Sequence, residues 1–125
     1  MVTVTVHPDV EHPDMAKQYA GILEEWKNGA PIPAIFGGEG QWEDNKRLEN
    51  SFVYKIHIRL PNEKPWPLST PVAGRKSNCY LVYARHCWYP DRYQIISIMA
   101  PNGHELARTS FLGELERRAE EFHSS

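Results

Sequence analysis

Long apolar runs are absent from this chain, and its first residues show no basic segment followed by an apolar block. A membrane-spanning helix needs about 20 consecutive apolar residues, and a secretory signal peptide needs both of those blocks. We therefore expect a cytoplasmic protein without a membrane partner. The chain has only two cysteines, Cys79 and Cys87. Two are too few for a disulfide framework, and we interpret both as small buried thiols.

The chain also lacks a large net charge, which is -2 over 125 residues, whereas a generic nucleic-acid-binding protein is usually basic. The charges are distributed unevenly, however. Residues 53–108 carry eight Lys and Arg against three acidic residues, whereas residues 1–52 carry four against nine. An acidic periphery around a basic middle concentrates a positive field on one cleft, and chance clustering of solvated charges is the alternative. Length and composition suit one domain, residues 1–125, with its own core.

The most informative stretch is Phe52–Leu60, which has the composition of a β-strand. Side chains alternate between the two faces of a strand. One face is apolar and is predicted to meet the core: Tyr54, Ile56, Ile58 and Leu60. The other face carries cations and a titratable imidazole: Lys55, His57 and Arg59. Such a face is suited to an anion, and we interpret that anion as the RNA backbone.

The rest of the sequence predicts an α+β domain. Val2, Val4 and Val6 indicate an edge strand, and the apolar spacing from Met15 to Trp26 indicates an amphipathic helix. Between Gly29 and Ser51 we expect an irregular segment with a short helix. Two more strands are predicted at Cys79–His86 and Tyr93–Ala100, followed by a final helix that Ser110 caps. The predicted fold is an antiparallel sheet of about four strands with the N-terminal and C-terminal helices packed on it.

Several short motifs carry a resemblance to a known family. They are Ile35-Phe36-Gly37, His57-Ile58-Arg59-Leu60-Pro61-Asn62, Leu81-Val82-Tyr83 and His104-Glu105-Leu106-Ala107-Arg108. In this order and spacing they resemble the YafO family of bacterial type II toxins, from about Glu25 to Phe122. The family pattern has His where this chain has Arg59. This chain therefore lacks one of the two histidines that a scheme with two histidines on that strand would need.

The resemblance implies a RelE-like fold and a ribosome-dependent mRNA interferase that a cognate antitoxin inhibits. It also implies that mRNA on the translating ribosome is the substrate, with contacts to ribosomal RNA and without a metal or other cofactor. Two alternatives remain open at this point. One is a non-enzymatic RelE/ParE-like toxin that binds another target such as a topoisomerase, and the other is an RNA-binding module without chemistry.

Metal-free cleavage of RNA needs proton transfer at the 2′-OH and at the leaving 5′-oxygen, together with positive charge at the phosphoryl group. Histidine suits proton transfer near neutral pH, and arginine suits phosphoryl charge because its planar fork binds two oxygens. We therefore predict His57 and Arg59 as catalytic residues, with His104 and Arg108 as a second pair. A surface histidine or salt bridge without a role is the alternative for each.

Residues around these pairs are predicted to bind RNA. Pro61–Asn78 forms an unusually long loop whose end, Gly74-Arg75-Lys76-Ser77-Asn78, has the composition of a phosphate cradle or of a solvated turn. Cations that would hold phosphates are Lys55, Arg75, Lys76 and Arg85. Trp66 and Tyr83 are candidates for stacking on bases. The set Cys79, His86, Cys87 and His104 matches no structural zinc spacing, so no metal is predicted.

Overall fold

A five-stranded mixed sheet forms the centre of the structure, a computed structural model that describes residues 1–125. The strands are β1 (Thr3–Val6), β2 (Phe36–Gln41), β3 (Val53–Ile58), β4 (Tyr80–Arg85) and β5 (Arg92–Met99). Their spatial order is β1-β5-β4-β3-β2. β1 pairs with β5 in parallel, and the other neighbours are antiparallel. The α+β fold class is confirmed, with one more strand than predicted and one parallel pair.

Four helices complete the fold: α1 (Pro13–Lys27), α2 (Lys46–Asn50), α3 (Gly103–Leu106) and α4 (Phe111–His123). Pro13 opens α1 at a position whose N–H needs no partner, and Gly29 follows its end with φ +111°. The amide N–H of Ala30 donates to the Glu25 carbonyl and that of Gly29 to the Trp26 carbonyl, which is a Schellman motif. None of these helices is long and apolar enough to cross a bilayer.

Helices cover both faces of the sheet. The face under α1 packs Ile56, Ile58, Leu81 and other apolar side chains against α1 residues that include Leu23. The opposite face, under α4, packs Val53, Val82 and Met99 against α4 residues that include Leu115. The predicted apolar face of β3 therefore lies under α1, as the alternation indicates. Lys55 and His57 lie on the α4 face, beyond the part that α4 covers.

The segment predicted as irregular contains β2, and this is a correction. Its sequence, Phe-Gly-Gly-Glu-Gly-Gln, has three glycines and therefore a poor strand propensity. The strand forms because it pairs with β3 in an antiparallel ladder, with a register shift between Phe36 and Glu39. Phe36, the first residue of this strand, is fully buried in the core under α1.

A β-bulge interrupts the pairing of β4 with β5. Val82 pairs with Ser97 and Tyr83 with Ile95, so that Ile96 is left without an opposite residue. The carbonyl oxygen of Ile96 accepts a hydrogen bond of 2.7 Å from the buried guanidinium of Arg118, on α4. Bulges locally disrupt a ladder, and here a buried cation satisfies the carbonyl that the bulge frees.

The free side of the edge strand β1 is occupied by side chains from α1 and its end. The amide N–H of Val4 donates to Glu24 Oε1 at 2.9 Å. The amide N–H of Val2 donates to Asn28 Oδ1 at 2.8 Å, and Asn28 Nδ2 donates to the Val2 carbonyl at 3.0 Å. The predicted edge strand is therefore confirmed, and the outward amide of Val4 and both main-chain groups of Val2 have partners.

Candidate active site

Two adjoining pockets lie on the α4 face of the sheet, beside Lys55 of β3. The glycine pocket has a volume of about 460 Å³, and its lining includes Gly38, Gly40, Lys55, His57 and Lys76. The indole pocket has a volume of about 360 Å³, and its lining includes Trp42, Asp44, Lys55, Tyr80, His104 and Arg108. Lys55 belongs to both pockets, so that the two form one continuous site.

The His57 imidazole is held by the loop that ends at Ser77. Its Nδ1 lies 2.9 Å from both the amide nitrogen and the carbonyl oxygen of Ser77. Either contact leaves Nε2 as the ring nitrogen without a protein hydrogen bond. Burial lowers the pKa of His57, and the neighbouring His104, Lys76 and Lys55 lower it further. The hydrogen bond to Ser77 raises this pKa and offsets part of the shift. His57 is therefore neutral at pH 7, with one nitrogen available.

Tyr80 connects the two histidines. It lies opposite His57 in the β3–β4 ladder, with ring centroids 4.9 Å apart. Its hydroxyl lies 2.9 Å from Nδ1 of His104, and the two imidazole centroids are 6.4 Å apart. Burial raises the pKa of Tyr80, so that its hydroxyl keeps its proton. Because a hydroxyl both donates and accepts, Tyr80 can orient His104 in either protonation state.

The position of His104 depends on a close approach at Gly103. A Cβ atom on Gly103 would lie 2.7 Å from the Tyr80 ring and 3.0 Å from the Asn78 carbonyl oxygen. Only glycine fits at that distance. The amide N–H of Gly103 donates to the Asn78 carbonyl at 2.8 Å, and that of His104 donates to Asn78 Oδ1 at 2.9 Å. Asn78 thus holds the start of α3 against the sheet.

The Lys55 ammonium lies between two aromatic rings, 4.4 Å from the Trp42 centroid and 5.5 Å from that of Tyr80. Burial lowers the pKa of Lys55, while Asp44 and Glu43 oppose the shift. A cation on aromatic faces is attracted by the ring quadrupole. Lys55 is therefore positioned by contacts on several sides rather than swinging freely in solvent.

The predicted site residues divide into two groups. The structure brings together Lys55, His57, Lys76, His104 and Arg108, which line the two pockets. Arg59 lines neither pocket. Its guanidinium lies 4.7 Å from the Trp66 ring centroid and 3.8 Å from Glu63. The amide of Arg59 donates to the Ile35 carbonyl, which continues the β2–β3 register by one residue beyond Ile58. The Arg59 guanidinium is therefore kept out of the pockets by its contacts with Trp66 and Glu63 and not by a turn of the backbone.

Two residues predicted to contact RNA are buried in the long loop. Arg75 is 5% exposed, and its guanidinium donates to the carbonyls of Thr70, Pro33 and Phe36. It therefore fixes the loop against β2 instead of facing a phosphate. Trp66 is 6% exposed and lies under Arg59, which leaves no free ring face for a base.

Tyr83 and Arg85 lie on the face of the sheet under α1. Tyr83 is 1% exposed, and its hydroxyl donates to Glu39 Oε1 at 2.8 Å. Arg85 lies over the Phe52 ring, with 5.3 Å between the guanidinium carbon and the centroid. It is five residues along β4 from Tyr80, or about 16 Å. Neither residue lines the pockets. The burial of Tyr83 corrects its predicted stacking on a base, whereas the predicted contact of the half-buried Arg85 with RNA stays a prediction.

Two other clusters contain potential metal ligands: His86, Cys87 and His123, and His7, Asp9 and Glu121. Nδ1 of His86 accepts the Trp88 amide N–H at 3.1 Å, and Nδ1 of His123 accepts that of Cys87 at 3.1 Å. Nδ1 of His7 likewise accepts the Asp9 amide N–H at 3.0 Å. An imidazole whose Nδ1 accepts an N–H carries its proton on Nε2. Nε2 of each ring faces an oxygen that can accept this proton, from Ser125 for His86, from Ser51 for His123 and from Glu121 for His7. We therefore interpret both clusters as hydrogen-bonded contacts.

Both cysteines are free, and neither is fully buried. Cys79 is half-buried and Cys87 is exposed, which corrects the interpretation of both as buried thiols. The sequence analysis also missed Tyr80 and Trp42. Tyr80 directly precedes the motif Leu81-Val82-Tyr83, and alternation along β4 places it on the same face as Val82. No pattern in the sequence placed Trp42 at the site, because β2, which ends directly before it, was not predicted.

One protein-family model matches the chain: the toxin YafO of type II toxin-antitoxin systems, over residues 24–124. No curated protein and no solved structure gives a significant match. The match covers the last four strands, both pockets and every predicted site residue. Because it spans most of the chain, the protein belongs to the YafO family of type II toxin-antitoxin toxins.

Proposed function

We propose that this toxin is a ribosome-dependent endoribonuclease that cleaves translated mRNA in the cytoplasm, without a metal, and that its cognate antitoxin blocks this activity. The observation that supports the proposal is the proximity of two imidazoles, 6.4 Å apart, beside the lysines of the two pockets. Binding to RNA alone needs cations, whereas a pair of titratable rings next to them suits proton transfer.

In the proposed reaction the 2′-hydroxyl attacks the adjacent phosphorus. The O2′–P bond forms and the P–O5′ bond breaks, which gives a 2′,3′-cyclic phosphate and a free 5′-hydroxyl. His57 takes the proton from the 2′-hydroxyl through Nε2, because its lowered pKa keeps it neutral at pH 7. His104, oriented by Tyr80, gives a proton to the leaving 5′-oxygen.

Lys55 and Lys76 are assigned the role of stabilising negative charge on the phosphoryl oxygens, because both line the glycine pocket together with His57. Arg108 lines the indole pocket beside His104 and is assigned to the neighbouring linkage. Arg59 has no role at the scissile phosphate in this proposal, because it lies on Trp66 and pairs with Glu63. Lys55 and Lys76 take the place predicted for the Arg59 guanidinium.

The test uses His57→Ala and His104→Ala in cells and in a reconstituted translation reaction. Each variant is expected to abolish growth inhibition and to slow mRNA cleavage by about 10²-fold or more, while it stays folded and bound by the antitoxin. His12→Asn is a matched control, because His12 is exposed and lies outside both pockets. Its Asn replacement tolerates the positive φ of this position.

Three outcomes would contradict the proposal. Full toxicity of both variants would remove the assigned histidines from the reaction. DNA damage with intact messages after induction would favour the topoisomerase-binding alternative. Cleavage of naked RNA by the purified toxin, at the rate seen with translating ribosomes, would contradict ribosome dependence.

A further inference from the structure

The indole pocket contains groups that phosphate binding does not explain. Its lining includes two carboxylates, Glu43 and Asp44, in addition to Lys55 and Arg108. Carboxylates repel an RNA backbone, so a pocket that only holds phosphates is expected to lack them. Its volume of about 360 Å³ lies in the range of small-ligand sites.

A second observation concerns the lysine that the pocket presents. The Trp42 side chain is 5% exposed, and the Lys55 ammonium lies 4.4 Å from its ring centroid. An ammonium carries three hydrogen-bond donors, and this one is held in place by the aromatic ring beneath it. Lys55 therefore gives the pocket a donor of fixed position.

The pocket therefore offers hydrogen-bond donors and acceptors together. The donors are the Lys55 ammonium and the Arg108 guanidinium, and the acceptors are the Glu43 and Asp44 carboxylates. The Asn45 amide oxygen is already used, because it accepts the Leu48 N–H at 3.1 Å. Arg108 is exposed, and its planar group is also suited to stack on a base.

Among the RNA bases, guanine matches this combination best. It presents two adjacent donors, N1–H and N2–H₂, which one carboxylate accepts together, and two acceptors, O6 and N7, for a lysine ammonium. Adenine and cytosine each offer one exocyclic amino donor and no second donor beside it. Uracil has a single ring N–H between two carbonyl groups.

We propose that the indole pocket is a nucleobase subsite that selects guanine beside the cleaved linkage, with Asp44 and Glu43 reading its donor edge. This proposal rests on the proposed ribonuclease function and adds its sequence preference. The pocket shares Lys55 with the glycine pocket and contains His104, so a base bound there lies next to the phosphate that the two histidines face.

The experiment maps every cut in a set of messages that are translated in a reconstituted system. The wild-type toxin is expected to cut beside guanine about tenfold more often than beside the other bases, because a bidentate contact discriminates by about that factor. The double variant Glu43→Gln/Asp44→Asn is expected to lose this preference. Glu49→Gln is the control, because Glu49 is an acidic residue on α2 that lies outside both pockets.

Wild-type cutting without a guanine bias, or a bias that the double variant keeps, would overturn the proposal while the ribonuclease function stands. If the toxin cuts no message at all, the ribonuclease proposal fails, and binding of guanosine 3′-monophosphate decides the subsite. The subsite then requires about tenfold tighter binding than adenosine 3′-monophosphate, and loss of that difference in the double variant. Equal or undetectable binding of the two nucleotides overturns it.

Discussion

At the scale of single residues, strand alternation predicted part of the candidate site, and contacts between distant residues determined the rest. Lys55 and His57 were placed on one face because both lie within β3, Val53–Ile58. Arg59 lies one residue beyond that strand, and its guanidinium contacts Trp66 and Glu63. The contact between Tyr80 and His104 joins residues 24 positions apart, and no local pattern in the sequence predicts such a contact.

The environment of His57 predicts a specific pH dependence of cleavage. Burial lowers its pKa, and a base must be neutral, so activity falls only as pH drops through this lowered value. In single-turnover cleavage between about pH 5 and 8, we expect the midpoint of the acid limb below the usual histidine pKa of about 6.5. Lys76→Gln is expected to raise that midpoint, because Lys76 contributes to the shift.

Lys17→Gln is the control for this profile, because Lys17 lies on α1 and outside both pockets. Its midpoint is expected to equal that of the wild type. An acid limb centred above pH 6.5 in the wild type, or one that Lys76→Gln leaves in place, would show that His57 is not the base.

At the scale of secondary structure, the elements with a regular apolar pattern were predicted and the one without it was not. The α1 and α4 stripes and the alternation of β3 follow their periods, whereas β4 and the latter part of β5 are largely apolar and buried on both faces. All of these elements lie where the sequence places them. β2 has three glycines and gains its structure from pairing with β3. The parallel pairing of β1 with β5 is also a tertiary result, since both strands are recognisable alone but their relative direction is not.

The junction of α4 with the bulge of β5 predicts unequal effects of two neighbouring arginines. Arg118 is 5% exposed and bonds the Ile96 carbonyl, Glu11 and Glu114. Arg118→Ala is expected to lower the free energy of unfolding by about 3 kcal/mol, because it leaves buried polar groups without their partner. Arg117 is 45% exposed in its ion pairs, so Arg117→Ala is expected to cost much less, because solvent screens exposed ion pairs.

Urea unfolding of the two variants measures this difference, with the slope of the transition as a check that the unfolded states are alike. Equal losses in the two variants would mean that the bulge is stabilised by the apolar packing around it. The α4 helix would then be held to the sheet by Leu115, Ala119 and Phe122 alone.

At the scale of the whole molecule, the uneven charge distribution survives in the structure in a reduced form. Lys55, Lys76 and Arg108 from the basic middle line the pockets. Arg75 is buried and donates hydrogen bonds to carbonyls of the same chain. The acidic first part of the chain contributes Glu39, Glu43 and Asp44 to the pocket linings. The simple sum of charges could not predict this, because it does not separate buried cations from exposed ones.

The family match begins at residue 24, yet the residues before it complete the core. Ala16, Tyr19, Ala20 and Leu23 are buried against the sheet. A chain that starts at residue 24 is expected to be unfolded, because each large side chain lost from a core costs about 2–5 kcal/mol and a domain has only about 5–15. Far-ultraviolet circular dichroism and urea unfolding would measure this.

A chain that lacks only Met1 and Val2 is the matched control, since β1 begins at Thr3, and it is expected to unfold cooperatively. A cooperative transition in the chain that starts at residue 24 would show that the family-matched part folds by itself. The residues before it, which form β1 and most of α1, would then be an addition to a complete domain.

The two rims of the sheet are both engaged within the same molecule. Glu24 and Asn28 accept the outward amides of Val4 and Val2, and the Arg75 carbonyl accepts the amide of Gly38 at the other rim. Each rim therefore offers fewer free main-chain groups to a second copy, which disfavours edge-to-edge association into fibres.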